Sequence, residues 1–233
     1  MSVTAGQVQE KIIDFFFPRR CVGCGKLGNL LCPDCCRKLP RLLPPFCQKC
    51  GKHEPSGVLC STCWGRHTEI DGIRSVFRFD GTVRLAIHEL KYRSIKAMAV
   101  CLATLMADYM RENQVPGETL IPVPLHPKRL RERGYNQSVL LARKLGELIS
   151  MPVLEGSLRR VKDSLPQART TTVEERRKNV ENAFACGPAD LKRRSFILID
   201  DVCTSGATLE CCAAALKAAG AVSVWGFTTA REI

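Results

Sequence analysis

Four consecutive apolar residues, Phe196-Ile197-Leu198-Ile199, offer no polar position to turn towards water and so read as a strand buried on both faces. The run from Ala207 to Ala219 that follows has helical spacing and ends at Gly220, a residue suited to a helix C-terminus. Upstream, Ile73 to Phe79 alternates apolar and charged positions, the pattern of a half-exposed strand, and Asp80-Gly81 marks a turn. Thr82 to Tyr92 and Ile95 to Arg111 read as helices, Leu120 to Val123 as a short apolar strand, and Ser138 to Ile149 as a further helix. Met151–Leu154, Ser157–Val161 and Ala221–Thr228 complete the set as strands. Strands alternating with helices predict an α/β domain with a mostly parallel sheet wound by right-handed crossovers, its ligand at the carboxyl edge.

Before about Arg66 the pattern changes, becoming rich in Cys, Pro, Gly and Lys and poor in aliphatics. Such a segment cannot fold on apolar burial alone. It carries four Cys-x-x-Cys pairs, Cys21/Cys24, Cys32/Cys35, Cys47/Cys50 and Cys60/Cys63, which are eight ligands for two tetrahedral tetracysteine zinc sites. Sequential ribbons and a cross-brace are both open; the sequential scheme is favoured because each half then closes a compact hairpin. Disulfides are the competing use for 14 cysteines. A polar start, an apolar run Ile12–Phe17 broken by Asp14 and the lack of a cleavable signal pattern favour a reducing cytoplasm, and with it metal. Cys36 is a spare beside Cys35. No apolar run is long enough to cross a bilayer. The expected organisation is a short segment 1–18, a double zinc ribbon 19–68 and an α/β domain 69–233.

The strand at Phe196 leads into Asp200-Asp201-Val202-Cys203-Thr204-Ser205-Gly206-Ala207-Thr208. Unpaired N–H groups at the start of the next helix suit a phosphate, with Thr204, Ser205 and Thr208 adding hydroxyls and Gly206 permitting close approach. Asp200 and Asp201 can accept hydrogen bonds from neighbouring ribose hydroxyls. A capped strand–turn–helix occurs in every α/β protein, and it is the paired acids that separate this one. The string resembles the 5-phosphoribosyl diphosphate (PRPP) signature of type I phosphoribosyltransferases, with Cys203 where an aliphatic or Tyr is more usual. That resemblance implies acids on the 2′- and 3′-hydroxyls, a loop including Ala207 around the 5′-phosphate, and Mg2+ bound with PRPP. The diphosphate then needs cations, and Lys128, Arg129, Arg131 and Arg133 crowd the end of the Leu120 strand. Arg129 and Arg133 would share a face if this segment is helical; the plainer reading is a solvated basic helix.

Taken in order, the double zinc ribbon, Leu90-Lys91-Tyr92, Pro122-Val123-Pro124, Arg133-Gly134-Tyr135-Asn136-Gln137, Pro166-Gln167 with Arg176/Arg177 and Asn179, and the diacid loop resemble the ComF family (ComFC-type) over essentially the whole chain. The resemblance implies a phosphoribosyltransferase-like domain associated with natural transformation or DNA utilisation, single-stranded DNA as a partner, and contact with a DNA-uptake apparatus. A net charge of +12 and pI near 9.2 suit a polyanion. With 6% aromatics, the stacking candidates reduce to Trp64, Tyr92, Tyr135 and Trp225. Asp163 to Asn182 lies where related transferases carry a flap. Three functions are consistent with this reading: a DNA-processing factor that binds PRPP, a pentosyl transferase with an unnamed acceptor, and a PRPP sensor without turnover. His88 and His126 are the available histidines for a general base, and nothing selects between them.

Overall fold

The computed structural model describes residues 19–161, 183–187 and 191–233. The flap expected at Asp163–Asn182 lies outside them, as does the segment 1–18. After a short helix α1 (Pro33–Arg37) the chain forms β1 (Gly72–Arg78), α2 (Gly81–Tyr92), α3 (Met98–Glu112), β2 (Thr119–Pro122), α4 (Pro127–Arg133) and α5 (Gln137–Ile149). Then come β3 (Leu158–Arg160), β4 (Phe184–Cys186), β5 (Ser195–Cys203), α6 (Ala207–Ala218) and β6 (Ser223–Arg231). Strands β1, β6, β5 and β2 lie in that order, every pair parallel.

The expected buried strand is β5, and its alternation divides the core in two. Ile197 and Ile199 face a cluster built from α2, α3 and α5, whereas Phe196 and Leu198 face α6, and all four are fully buried. Such burial stabilises the strand by about 2 kcal/mol per side chain. Because each face of the sheet is covered, the carboxyl ends of the strands are the edge left for a ligand.

Three expectations are corrected. Strand β1 is not half-exposed: only Arg78 is fully exposed, and the other polar positions find partners within the protein. Ser75 and Thr228 share a 2.7 Å hydroxyl contact, and Arg74 donates to the Gln48 carbonyl at 3.2 Å while lying over Trp225. Met151–Leu154 makes a single bridge, Val153 to Leu120, since Pro152 has no N–H to extend a ladder. Ser157–Val161 contributes β3, which leaves the parallel sheet and pairs antiparallel with β4, a three-residue strand too short to give a pattern.

Residues 19–68 pack along this domain. Leu31 and Leu39 enter the main core, and the Leu42 N–H donates to Val76 O at 3.0 Å while the Arg78 N–H donates to Pro40 O at 2.8 Å, covering the β1 edge. Gly51 sits against this edge with φ of +71°; a Cβ there would fall 2.2 Å from the Ile73 carbonyl oxygen.

Candidate ligand cleft and metal sites

Strand β5 delivers Asp200 and Asp201 to the carboxyl edge of the sheet. The Asp201 N–H donates to Asp200 Oδ1 at 2.9 Å, and the Val202 N–H donates to Asp201 Oδ1 at 3.0 Å. From the start of α5, the Ser138 hydroxyl donates to Asp200 Oδ1 at 2.9 Å. Asn136 sets that start: its carboxamide oxygen accepts from the Ser138 N–H, and its Nδ2 donates to Val123 O at 2.9 Å. Lys91, at the end of α2, places Nζ 2.6 Å from Asp201 Oδ2. Burial first, then the neighbouring Asp201 charge, push the Asp200 carboxyl up to about 7, against the opposing pull of Lys91 and Ser138. Burial works against the Lys91 ammonium, but Asp201 and Asp200 outweigh it and raise its pKa.

The turn after β5 has two sides. Thr204 and Thr208 line a cleft of about 630 Å3 together with Asp200, Asp201 and Ser138, a size within the usual range for small-molecule sites. Ser205, Gly206 and Ala207 instead line a smaller hollow against Lys49, Cys50 and Cys63 of the ribbon. The Ser205 hydroxyl accepts from the Ala207 N–H at 3.3 Å. Gly206 adopts φ of +80°, a left-handed backbone that caps α6 with no side chain.

The basic loop is helical. The His126 imidazole caps α4 by accepting from the Lys128 N–H at 3.2 Å, which gives this histidine a structural task, while His88 is exposed and stacks near Tyr92. Arg129 and Arg133, four apart, both line the cleft; Lys128 does not. The Arg133 guanidinium donates to Gln137 Oε1 and lies 5.5 Å from the centre of the Tyr92 ring. Residues that sequence reading did not place in the site are Lys91, Ser138 and Arg160. Lys91 had a signal: it falls four residues after Ile87, on the edge of the buried stripe Val83, Ala86, Ile87 and Leu90. Of the stacking candidates, Trp64 and Tyr92 are exposed, Tyr135 is buried and Trp225 is partly buried.

The eight thiols gather in sequential order, Cys21/Cys24/Cys32/Cys35 and Cys47/Cys50/Cys60/Cys63, with all four Sγ atoms of each group within 4.8 Å of one another. Cys36 stays outside, its thiol towards Leu31 O. In each group one sulfur accepts a backbone amide: Cys32 N–H to Cys21 Sγ at 3.3 Å, and Cys60 N–H to Cys47 Sγ at 3.4 Å. Burial opposes the thiolates of Cys21 and Cys47, yet these and neighbouring amides bring both to about 6. Cys35, facing the Cys21 sulfur, is pushed up to about 12. Four thiolates this close require a cation, and the donor set fits structural Zn2+.

A parallel sheet ending in a diacid and a hydroxyl-rich turn, preceded by two tetracysteine sites, defines an α/β protein with an N-terminal double zinc ribbon. The double zinc ribbon domain family matches residues 12–70. Competence protein F of Haemophilus influenzae is 30% identical over 231 residues, covering 92% of this chain and 99% of that protein. Competence protein ComFC of Bacillus subtilis is 28% identical over 218 residues, covering 89% and 86%. The DNA utilization protein YhgH of Salmonella typhi is 27% identical over 205 residues, covering 84% and 88%. Among solved structures, a purine phosphoribosyltransferase of Pyrococcus horikoshii overlaps 57% of this chain and 82% of its own, at 15% identity and a TM-score of 0.36. The chain belongs to the ComF (competence protein F/ComFC) family. Among the described residues no helix is long and apolar enough to cross a membrane.

Proposed function

We propose that this protein binds PRPP with Mg2+ in the β5–α6 cleft and handles single-stranded DNA during DNA uptake or utilisation in the cytoplasm. One observation carries the ligand reading: Asp200, Asp201, Thr204 and Thr208 open onto the same cleft as Arg129 and Arg133. Carboxylates suit a ribose diol, while hydroxyls, the first N–H groups of α6 and the arginine forks suit a 5′-phosphate and a diphosphate at opposite ends of one sugar. Ser205, Gly206 and Ala207 would contribute through the backbone, Lys128 through long-range charge, and the eight thiolates would hold two Zn2+ ions in residues 19–68, ahead of a transferase-like unit 69–233. The DNA reading is supported by the names of the relatives and by the ribbon, where nine Lys and Arg stand against two Asp and Glu between positions 19 and 68. A DNA-uptake apparatus is the protein partner this reading implies.

Pentosyl transfer is the second reading. The cleft's flank of Phe79, Tyr92, Leu125 and Val202 gives an acceptor base an apolar and aromatic wall. There, an acceptor nitrogen would bond to C1′ as the bond to the diphosphate oxygen breaks and diphosphate departs. Titrating the zinc-loaded chain with Mg2+-PRPP and then with single-stranded DNA tests both. Heat that disappears in Asp201→Asn is expected for PRPP; turnover would add diphosphate release, and binding without release would identify a sensor. No saturable PRPP binding would sink the ligand reading.

A further inference from the structure

We propose that Lys91 is a positioning and specificity residue of the cleft, whose ammonium fixes the Asp200–Asp201 pair as the acceptor edge that distinguishes ribose from 2-deoxyribose phosphates. The inference rests on reading that pair as the diol acceptors. A lysine at the edge of the buried stripe of α2 loses its hydration and needs a partner. Asp201 is that partner, with the two side chains only 21% and 3% exposed. The helix end is aimed from both sides: the Tyr135 hydroxyl donates to Leu90 O, and the Arg93 N–H donates to Glu89 O at 3.2 Å before Ser94, at φ of +56°, turns the chain into the cleft wall. Lys91 is thereby committed to a carboxylate, while Arg129 and Arg133 remain for phosphoryl oxygens.

The consequence lies in the acids. Asp200 Oδ1 is engaged by Ser138 and the Asp201 amide, and Asp201 is engaged by the Val202 amide and Lys91. Among the described residues, Asp200 Oδ2 accepts no hydrogen bond. With Asp201 Oδ1 on the Val202 amide and its Oδ2 buried against Lys91, Asp200 Oδ2 is the acceptor left to a ribose hydroxyl, and a 2-deoxy sugar lacking the hydroxyl aimed there leaves it without its donor. Without Lys91 the two acids face each other with no cation at contact distance, and Asp200 keeps its proton to higher pH. Arg129 and Arg133 of α4, Glu132, Arg160 of β3 and Glu232 also charge the cleft. Behind β5, burial pushes up the thiols of Cys203 and Cys212. Tyr92 adjoins Lys91 on α2.

The test is calorimetry on the zinc-loaded full chain with Mg2+-PRPP, ribose 5-phosphate and 2-deoxyribose 5-phosphate between about pH 5.5 and 8.5. The wild type is expected to favour ribose over 2-deoxyribose 5-phosphate by about tenfold or more. Lys91→Met is expected to bring that ratio towards one and to move the midpoint of the pH dependence up by about one unit or more. Lys91→Arg is expected to keep both near wild type. Tyr135→Phe, which removes only the hydroxyl tied to Leu90, should shift ratio and midpoint the same way by less, and it decides the matter if Lys91→Met does not fold. An unchanged ratio and midpoint in Lys91→Met, or in Tyr135→Phe where it stands alone, overturns the assignment. So does loss of PRPP affinity with ribose 5-phosphate affinity intact, which would place the lysine on the diphosphate. A wild type that binds none of the three overturns the diol reading and this inference together.

Discussion

Arg231 donates from Nη1 to the carbonyl oxygen of Cys50 at 2.5 Å, so the last strand of the sheet grips the backbone of the second thiol cluster. The same nitrogen lies 3.2 Å from Cys203 Sγ, one residue before Thr204, and the whole side chain is 2% exposed. One buried cation thus joins the second thiol cluster to the start of the turn after β5. The Ile73 N–H reinforces the joint by donating to Lys49 O at 2.7 Å, and the Glu210 carboxylate by accepting from the Glu69 N–H at 2.7 Å.

Removing that cation should therefore damage both parts at once. Arg231→Met keeps most of the volume but takes away the donor of the part-buried Cys50 carbonyl, an expected loss of about 1–3 kcal/mol in chemical denaturation. Zinc should leave the second cluster at lower chelator concentration than the first. A variant with wild-type stability and equal retention at both clusters would contradict the coupling.

Ligand affinity should depend on pH through Asp200. Its folded pKa, about 7, lies above the ordinary carboxyl value, so the folded protein holds this proton between about pH 4 and 7. The contribution of this group to fold stability is consequently fullest at low pH and is lost as pH rises through about 7. Binding runs the other way, because a diol needs the carboxylate as acceptor. Affinity for Mg2+-PRPP is expected to fall by up to about tenfold per unit below about pH 7. Asp200→Asn should bind weakly with the profile reduced to the ligand's own titration, and an identical profile in the two proteins would exclude Asp200 as its source.

What the sequence made legible were features with a short repeat or a short-range chemistry. Phe196 to Ile199 has no polar residue, so its burial followed directly; the Cys-x-x-Cys pairs bring thiolates together within one turn of chain; and Arg129 and Arg133 needed only the helical spacing that α4 supplies. What escaped was set by distant partners. Nothing local shows that Arg74 would find the Gln48 carbonyl and Trp225, which is why β1 read as half-exposed. Lys91 and Ser138 meet Asp201 and Asp200 from helices far apart in sequence, and the split of the turn into a cleft side and a ribbon side depends on where Lys49 and Cys50 dock.

Metal removal should unfold residues 19–68 before the sheet. Four thiolates within 4.8 Å repel without a dication, and a structural zinc site supplies on the order of 10 kcal/mol of apparent binding energy at neutral pH. Two zinc ions per chain are expected by elemental analysis, falling to one in Cys24→Ser and in Cys60→Ser. Of these two, only Cys60→Ser should also weaken PRPP binding, since only the second cluster backs Ser205, Gly206 and Ala207. Equal effects of both variants on PRPP would separate metal loading from the ligand turn.

Single-stranded DNA should bind on the ribbon rather than in the cleft. Trp64 is 73% exposed next to Cys63, and Arg20 and Lys38 are exposed among the module's excess of cations, none of the three lining the cleft. Trp64→Ala is expected to cost about 1–3 kcal/mol of affinity for a thymidine oligonucleotide, as loss of a stacking platform does. Arg20→Ala with Lys38→Ala should lower the slope of log affinity against log salt by about 1.4, at about 0.7 for each single-strand phosphate contact. Fluorescence anisotropy between about 50 and 200 mM salt measures both, and PRPP affinity should be unchanged in all these variants. If PRPP instead competes with the oligonucleotide, or the slope is unaltered, the DNA contact belongs to Arg129 and Arg133, and the two ligands share one site.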